Sequence, residues 1–151
     1  MASNGGMYIA EMSLIRKVSP SQNGLITTVT MIDEWGSLYN ARGHFVTPQD
    51  EIFFAVQWGN QVKKFTTSSG VTELIAGTGM MGDSGEGGLA VNARLRKPSA
   101  VFQNPFNTSL LFIVDTGNHK IKMVNMTDGT ISTLCGTGSA GYSGDNDTAS
   151  P

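Results

Sequence analysis

Two glycine-rich segments carry residue types that can bind ions. Residues 77–90 and 136–149 align without a gap at a constant offset of 59. Backbone amides of such loops can cradle phosphate, and the acidic runs 83–86 (DSGE) and 145–147 (DND) offer oxygen ligands for calcium. Neither copy has the Gly-Lys-Ser/Thr ending of a phosphate loop or the spacing and distal Glu of a known calcium loop. The favoured interpretation is therefore a tight, recurring connection in which glycines permit positive φ.

Other candidates for chemistry are few. His44 and His119 are the only histidines, and Cys135 is the only cysteine, which excludes a disulfide within the chain and a CxxC-type metal site. A histidine near a hairpin turn is more often packed or hydrogen-bonded than a ligand. Asp115 is expected to cap such a turn through its backbone amides. Since no nucleophile motif or paired carboxylates are present, we assign no catalytic, cofactor-binding or metal-binding residue and expect no cofactor.

Basic side chains recur once in each of three aligned segments. Arg16, Lys63 and Lys122 each follow a β-branched residue and precede an apolar end of the segment. In a repeated sheet they would occupy related places and could form a stripe that binds RNA. The net charge of −2 favours the alternative, a solvated strand face.

An aromatic residue stands beside a turn signal. Trp58 precedes Gly59 at the predicted bend of a hairpin. Such a tryptophan could anchor a partner protein, because large aromatic residues dominate binding energies at interfaces. Packing inside the core is the alternative.

These residues belong to a pattern of short strands. The apolar run 110–114 is followed by a turn, a second strand at 119–124, and a third strand after the Asp128-Gly129 turn signal. A short strand at 98–102 precedes them. Four strands in sequence order, joined by tight turns, predict an antiparallel four-stranded sheet.

The same order occurs twice more upstream. The middle copy runs from 45 to 76 and aligns Gly59-Asn60 with Gly117-Asn118 at an offset of 58, which implies one residue lost in the following strand. A third, incomplete copy covers the strands 7–10, 15–18 and 24–29. Helical periodicity is weak, and the best candidate, 89–96, is short enough for a single turn. His44 aligns near 95–97 and shows no role common to the repeats.

Repetition of one β-unit at a fixed period predicts an all-β protein built of β-propeller blades. We expect one partial propeller over residues 1–151, of about two and a half to three blades, with an incomplete ring. Its predicted repeats and connectors are as follows: repeat 1 at about 4–30, repeat 2 at about 45–76, repeat 3 at about 98–135, the first connector at 77–97 and the second connector at 136–151. An open arc exposes apolar blade faces, so we expect a fragment of a larger propeller or a protomer that closes a ring by oligomerising.

The run 115–122, which reads DTGNHKIK, resembles the signature of NHL repeats. The glycine-rich connectors resemble those of NHL arrays, including teneurin-like and bacterial proteins. In the middle copy, Gln57 and Gln61 replace Asp115 and His119. The resemblance implies a β-propeller acting as a non-enzymatic scaffold for protein interactions. It leaves open a fragment of a lyase-type or lactonase-type propeller enzyme with a metal in the central channel, and an RNA-binding propeller.

Composition and charge narrow the classes of partner that this chain is expected to bind. Scattered basic residues and a net charge of −2 disfavour a nucleic-acid partner, and the longest apolar run, 110–114, is too short to insert into a membrane. The first residues lack the pattern of a signal peptide. A protein partner is the expectation, and the compartment is left open.

Overall fold

A computed structural model describes residues 6–10, 15–19, 24–29 and 41–141. Over these residues the chain forms strands joined by turns, with two short 3-10 helices at Ala90–Asn92 and Thr116–Asn118. The strands are β1 (Met7–Ala10), β2 (Ile15–Ser19), β3 (Leu25–Val29), β4 (Ala41–Val46), β5 (Glu51–Val56), β6 (Gln61–Thr66), β7 (Val71–Ala76), β8 (Ala100–Gln103), β9 (Leu110–Asp115), β10 (Lys120–Asn125) and β11 (Thr130–Cys135).

The strands form three antiparallel sheets in chain order. Blade 1 contains β1 to β3, blade 2 contains β4 to β7, and blade 3 contains β8 to β11. The first strands of blades 2 and 3, β4 and β8, lie beside each other. The predicted all-β architecture of propeller blades is confirmed, and the described blades do not close a ring. No described helix is long and apolar enough to cross a membrane.

Blades 2 and 3 share one register across their last three strands. Val56 pairs with Gln61, and Asp115 pairs with Lys120, an offset of 59 on both strands. The third and fourth strands also share a β-bulge, which follows Val62 in blade 2 and Ile121 in blade 3. The same strand pairing and the same β-bulge therefore occur at equivalent positions of the two sheets.

This register corrects the sequence alignment of the hairpin turns. Asn60 and His119 are the left-handed residues of their turns, each with φ of 51°, and they differ by 59. No residue is therefore lost between the two copies, and Gly59 corresponds to Asn118. His44 was also misplaced, because it pairs with Phe54 and thereby takes the register of Val101 on the first strand of its blade.

The core lies between the blades. β5 is buried on both faces because blade 2 is stacked between two others. Phe53 points towards blade 3 and joins a cluster that includes Leu111 and Ile113. Ile52 and Phe54 point the other way and pack with Ile15 and Tyr8 of blade 1. Alternation along one strand thus provides both interfaces.

Gly77 ends β7 with φ of 90°, and a Cβ at this position would collide with the carbonyl oxygen of Asn60. We predict that Gly77→Ala lowers the free energy of unfolding by about 3 kcal/mol or more, because left-handed strain adds to overpacking. Gly70→Ala is the matched control, since Gly70 has φ of 71° and open space around it. It should cost about 1–2 kcal/mol. Equal losses in urea titrations would contradict the steric argument.

Candidate functional site

The first connector adds a further strand segment to the edge of blade 3. The amides of Gly87 and Ala90 donate to the carbonyls of Ile131 and Gly129, both at 2.8 Å, and Ile131 donates to Gly88 at 2.9 Å. Sheet edges expose unpaired backbone groups, and these bonds satisfy part of the edge of β11. The connector therefore holds its acidic residues in fixed positions against blade 3.

An ionic cluster forms where the first connector meets β10. The side chain of Lys122 is 2% exposed, and its Nζ lies 3.0 Å from Glu86 Oε2 and 3.2 Å from Asp83 Oδ1. Lys120 Nζ lies 2.7 Å from the other oxygen of Asp83. The backbone amide and hydroxyl of Thr133 donate to Glu86. Two lysines and two carboxylates thus neutralise each other on the connector side of blade 3.

The charges in this cluster are mutually stabilised. Burial by itself would lower the pKa of Lys122, but its contacts with Glu86 and Asp83 outweigh burial and raise the pKa above its ordinary value. The hydrogen bond from Lys120 lowers the pKa of Asp83. Burial opposes ionisation of Glu86, yet the bonds from Thr133 and Lys122 leave its pKa lowered. Lys122, Asp83 and Glu86 are therefore held in their charged forms.

Asn60 fixes the first connector to the hairpin turn of blade 2. Its side-chain Nδ2 donates to the carbonyl of Gly79 at 3.2 Å, and its Oδ1 accepts from the amide of Lys97 at 2.9 Å. One side chain thus joins both ends of the connector to the turn that follows Trp58.

A different pair fixes the same connector to blade 3. Asn118 Nδ2 donates to the carbonyl of Gly82 and to Asp115 Oδ2, both at 2.7 Å. Asp115 Oδ1 accepts from the backbone amide of Arg96, also at 2.7 Å. The expectation that Asp115 caps its own hairpin turn through backbone amides is wrong: its backbone partner lies 19 residues upstream in the connector. Burial raises the pKa of this carboxyl.

The recurrent basic residues have different environments. Lys122 is buried and ion-paired, so the interpretation of this position as a solvated face is wrong. Arg16 and Lys63 are half-buried. The sequence does contain the two components of this ion pair: Lys122 lies within a β-run, and acidic residues lie in the connector that precedes it. Only the register brings Lys122 and Glu86 together, and no local pattern in the sequence predicts that pairing.

The histidines and acidic runs singled out in the sequence do not come together in one site. His119 is exposed, whereas His44 Nε2 lies 3.3 Å from the carbonyl oxygen of Tyr8 in blade 1. A cleft of about 300 Å³ is lined by Asp83, Ser84 and Glu86 together with Lys120 and Thr133. The carboxylates of Asp83 and Glu86 contact lysines. The acidic run 145–147 lies outside the described residues. Within the described part of the chain, no three His, Cys, Asp or Glu side chains are grouped to hold a metal ion.

Exposed apolar side chains lie on the hairpin turn of blade 2 and on the connector segment bonded to that turn. Trp58 is 58% exposed, and Lys97 Nζ lies 4.8 Å from the centre of its ring. Met80 and Met81, in the first connector, are also more than half exposed. We call these four residues the Trp58 surface. Trp58 stands out in the sequence beside a turn glycine, whereas no local pattern marks the methionines, which the second connector replaces with Ser139 and Ala140.

Structural comparison identifies the architecture. An auxiliary nutrient binding protein from Bacteroides thetaiotaomicron superposes with a TM-score of 0.64 at 16% identity, covering 97% of this chain and 36% of that one. Virginiamycin B lyase from Staphylococcus aureus gives 0.60 at 17% identity, covering 88% and 38%. A chain of the nidogen/laminin complex gives 0.58 at 16% identity, covering 85% and 43%. The fold is that of a β-propeller.

The chain therefore spans less than half the length of these three propeller neighbours. No family model matches the sequence, and no curated protein matches it. At these identities the similarity establishes the fold, and the neighbours' names include both a lyase and binding proteins.

Removing the charge of Glu86 should destabilise the contact between the first connector and blade 3. We predict that Glu86→Gln lowers the free energy of unfolding by about 1–2 kcal/mol, between the values for exposed and buried pairs, because the carboxylate is half exposed and Lys122 is buried. Glu73→Gln is the matched control, since Glu73 has the same 52% exposure and pairs with the more accessible Lys64. Its cost should stay within about 0.5 kcal/mol. A larger loss for Glu73→Gln in chemical denaturation would contradict the assignment.

The ion pair between Glu86 and Lys122 predicts that the free energy of unfolding depends on pH. The pKa of Glu86 is lower in the folded chain than its ordinary value of 4.5. Its stabilising contribution is therefore complete above that value and is lost as pH falls through the lower, folded-state pKa. Denaturation of wild type and Glu86→Gln across the acidic range should give free energies that differ at neutral pH and converge only as pH falls through the folded-state pKa of Glu86, which lies below 4.5. A difference that stays constant with pH would contradict this assignment.

Proposed function

We propose that this chain is a non-enzymatic, NHL-type propeller module that binds a partner protein through the Trp58 surface. The single observation that carries the proposal is the exposure of Trp58, at 58%, on a turn whose backbone is fixed. Tryptophan is enriched among residues that dominate interface energies, because it buries a large area at small entropic cost.

The surface is pre-organised for binding. Asn60 ties the turn to both Gly79 and Lys97, so the backbone segments that carry the indole, the methionines and the lysine keep their relative positions. Ordering costs on binding are therefore small. Methionine side chains adapt their shape to a partner, and Lys97 adds one positive charge. These features fit a partner surface with an apolar patch beside an acidic side chain.

The comparisons support a binding role at the level of the fold. One neighbour is described as a nutrient binding protein and another was solved in the nidogen/laminin complex. RNA binding has weaker support, because burial and ion pairing of Lys122 remove one member of the basic stripe. The lyase-type alternative requires acids and histidines from several blades at the channel, and elemental analysis of the purified chain tests it directly. Stoichiometric zinc or calcium would favour that alternative over a binding module.

We predict that Trp58→Ala weakens binding of the partner by about 30-fold, which corresponds to roughly 2 kcal/mol for a central aromatic residue. Proteins captured by wild type and by Trp58→Ala would be compared quantitatively, and the affinity of any differing protein would then be measured by calorimetry. Phe106→Ala is the matched control, because Phe106 is 98% exposed on the β8–β9 loop, at the other end of the strands from the β5–β6 turn. Equal losses for both variants, or no protein that distinguishes Trp58→Ala, would overturn the proposal.

A further inference from the structure

The second half of the first connector carries three positive charges without acidic partners. We define the basic strip by Arg94, Arg96 and Lys97, all of which are exposed. Among the described residues, no carboxylate forms an ion pair with any of these three side chains. By contrast, Lys64 and Lys122 each pair with two carboxylates. The basic strip is therefore a local positive region on a chain whose net charge is −2.

Buried neighbours and hydrogen bonds fix the backbone of the basic strip. Ala93 and Leu95 are at most 1% exposed, and their alternation with exposed residues places Arg94 and Arg96 on the same outer side. The backbone amides of all three strip residues donate to acceptors within the molecule. Main-chain pairing with a ligand is thus not available to these amides, and recognition depends on the side chains.

Two glycines make room for the arginine stems. A Cβ at Gly82 would lie 2.9 Å from Cδ of Arg94, and a Cβ at Gly117 would lie 2.6 Å from Cγ of Arg96. The aliphatic parts of both arginines therefore pack closely on the protein while the residues remain exposed. Packing of the stems restricts the positions of the guanidinium groups, so less side-chain entropy is lost when a ligand binds.

The basic strip and the Trp58 surface adjoin each other. Lys97 belongs to both, since its Nζ lies 4.8 Å from the centre of the Trp58 ring. The stem of Arg94 packs on Gly82, which follows the exposed Met81 in the chain. Apolar and positively charged side chains thus form neighbouring parts of one surface at the junction of blades 2 and 3.

We propose that the segment of the partner protein that binds this surface is an extended acidic stretch with an apolar residue at one end. This inference rests on the proposed function, because it names the chemistry that the Trp58 surface would recognise. In an extended peptide, alternate side chains share one face and lie about 7 Å apart, which is also the spacing expected between Arg94 and Arg96. Two alternate carboxylates can therefore each contact one guanidinium group, and the apolar residue then packs on Trp58.

Single-stranded nucleic acid is the main competing ligand for basic residues beside an aromatic ring. Proteins that bind it stack successive bases on successive aromatic side chains. Trp58 is the only aromatic member of the Trp58 surface, and Met80 and Met81 are both more than half exposed there. Methionines adapt their shape to apolar side chains, so the surface favours a peptide.

Fluorescence anisotropy on the 151-residue chain tests the proposal. The probe is a fluorescein-labelled synthetic peptide with glutamate at alternate positions and phenylalanine at one end. A peptide with glutamine in place of each glutamate should bind about tenfold or more weakly. Raising the ionic strength from about 0.1 M to about 1 M should also weaken binding of the glutamate peptide, because the Debye length falls from about 10 Å to about 3 Å.

Variants of the basic strip locate the binding site. The double variant Arg94→Gln with Arg96→Gln should weaken binding of the glutamate peptide by about tenfold, whereas Arg94→Lys with Arg96→Lys should retain most of the affinity. Lys64→Gln is the matched control, because it removes the same type of charge from a lysine that is already paired with two carboxylates. Its affinity should equal that of wild type, and urea titration would verify that each variant is folded.

Several results would overturn the proposal. They are equal affinities for the glutamate and glutamine peptides, equal losses in Lys64→Gln and in the double glutamine variant, and tighter binding of single-stranded polyuridylate or of a sulfated polysaccharide than of the peptide. Trp58→Ala, measured with the same peptide, separates this inference from the proposed function. Loss in Trp58→Ala with full binding in the double glutamine variant would overturn the role of the basic strip and leave the Trp58 surface as the binding site. Loss confined to the double glutamine variant would overturn the role of Trp58 in binding this segment.

Discussion

The arrangement of blades 2 and 3 depends on a buried charge. Lys122 lies in the middle strand β10 with its ammonium group out of water, and removing a charge from water is costly unless a partner compensates. Asp83 and Glu86 provide that compensation, and both belong to the first connector. Blade 3 therefore reaches its stable arrangement only when the chain segment that precedes it is folded against its outer edge. The backbone bonds of Gly87 and Ala90 to the strand and turn of that edge follow from the same placement.

The glycines at the start of each connector allow the backbone to pack closely against the preceding hairpin turn. Gly77 and Gly136 each end a fourth strand with positive φ, and each backbone passes against a carbonyl of the preceding turn, that of Asn60 or His119. Only glycine fits such an approach, because a Cβ would overlap the carbonyl oxygen. The first of the two loops that suggested ion binding is therefore a joint between blades 2 and 3. Its acids pair with lysines of β10, and its amides bond to β11 and the turn before it.

The Trp58 surface on the hairpin turn of blade 2 depends on side-chain hydrogen bonds rather than on a buried charge. Asn60 and the pair Asp115–Asn118 fix the same connector from two blades, although the two sets of residues are not equivalent in the repeat. Two different sets of side chains, one from each blade, therefore hold the first connector in place. A turn held in this way presents Trp58 to solvent without the entropy loss of a mobile loop. Rigid scaffolds with variable turns commonly carry binding residues in this manner.

The sequence by itself determined the all-β architecture of propeller blades and the offset of 59, because strand alternation and turn glycines are local signals that survive in each copy. It also singled out Lys122 and Trp58. The alignment of Gly59-Asn60 was wrong because two turns of equal length place their glycine and asparagine differently, and only strand pairing reveals the register. The tertiary structure alone decided that Lys122 is buried, that Asp115 binds the connector, and that Trp58 is exposed. Each of these depends on contacts between residues distant in the sequence, where no local pattern records which face a neighbouring blade covers.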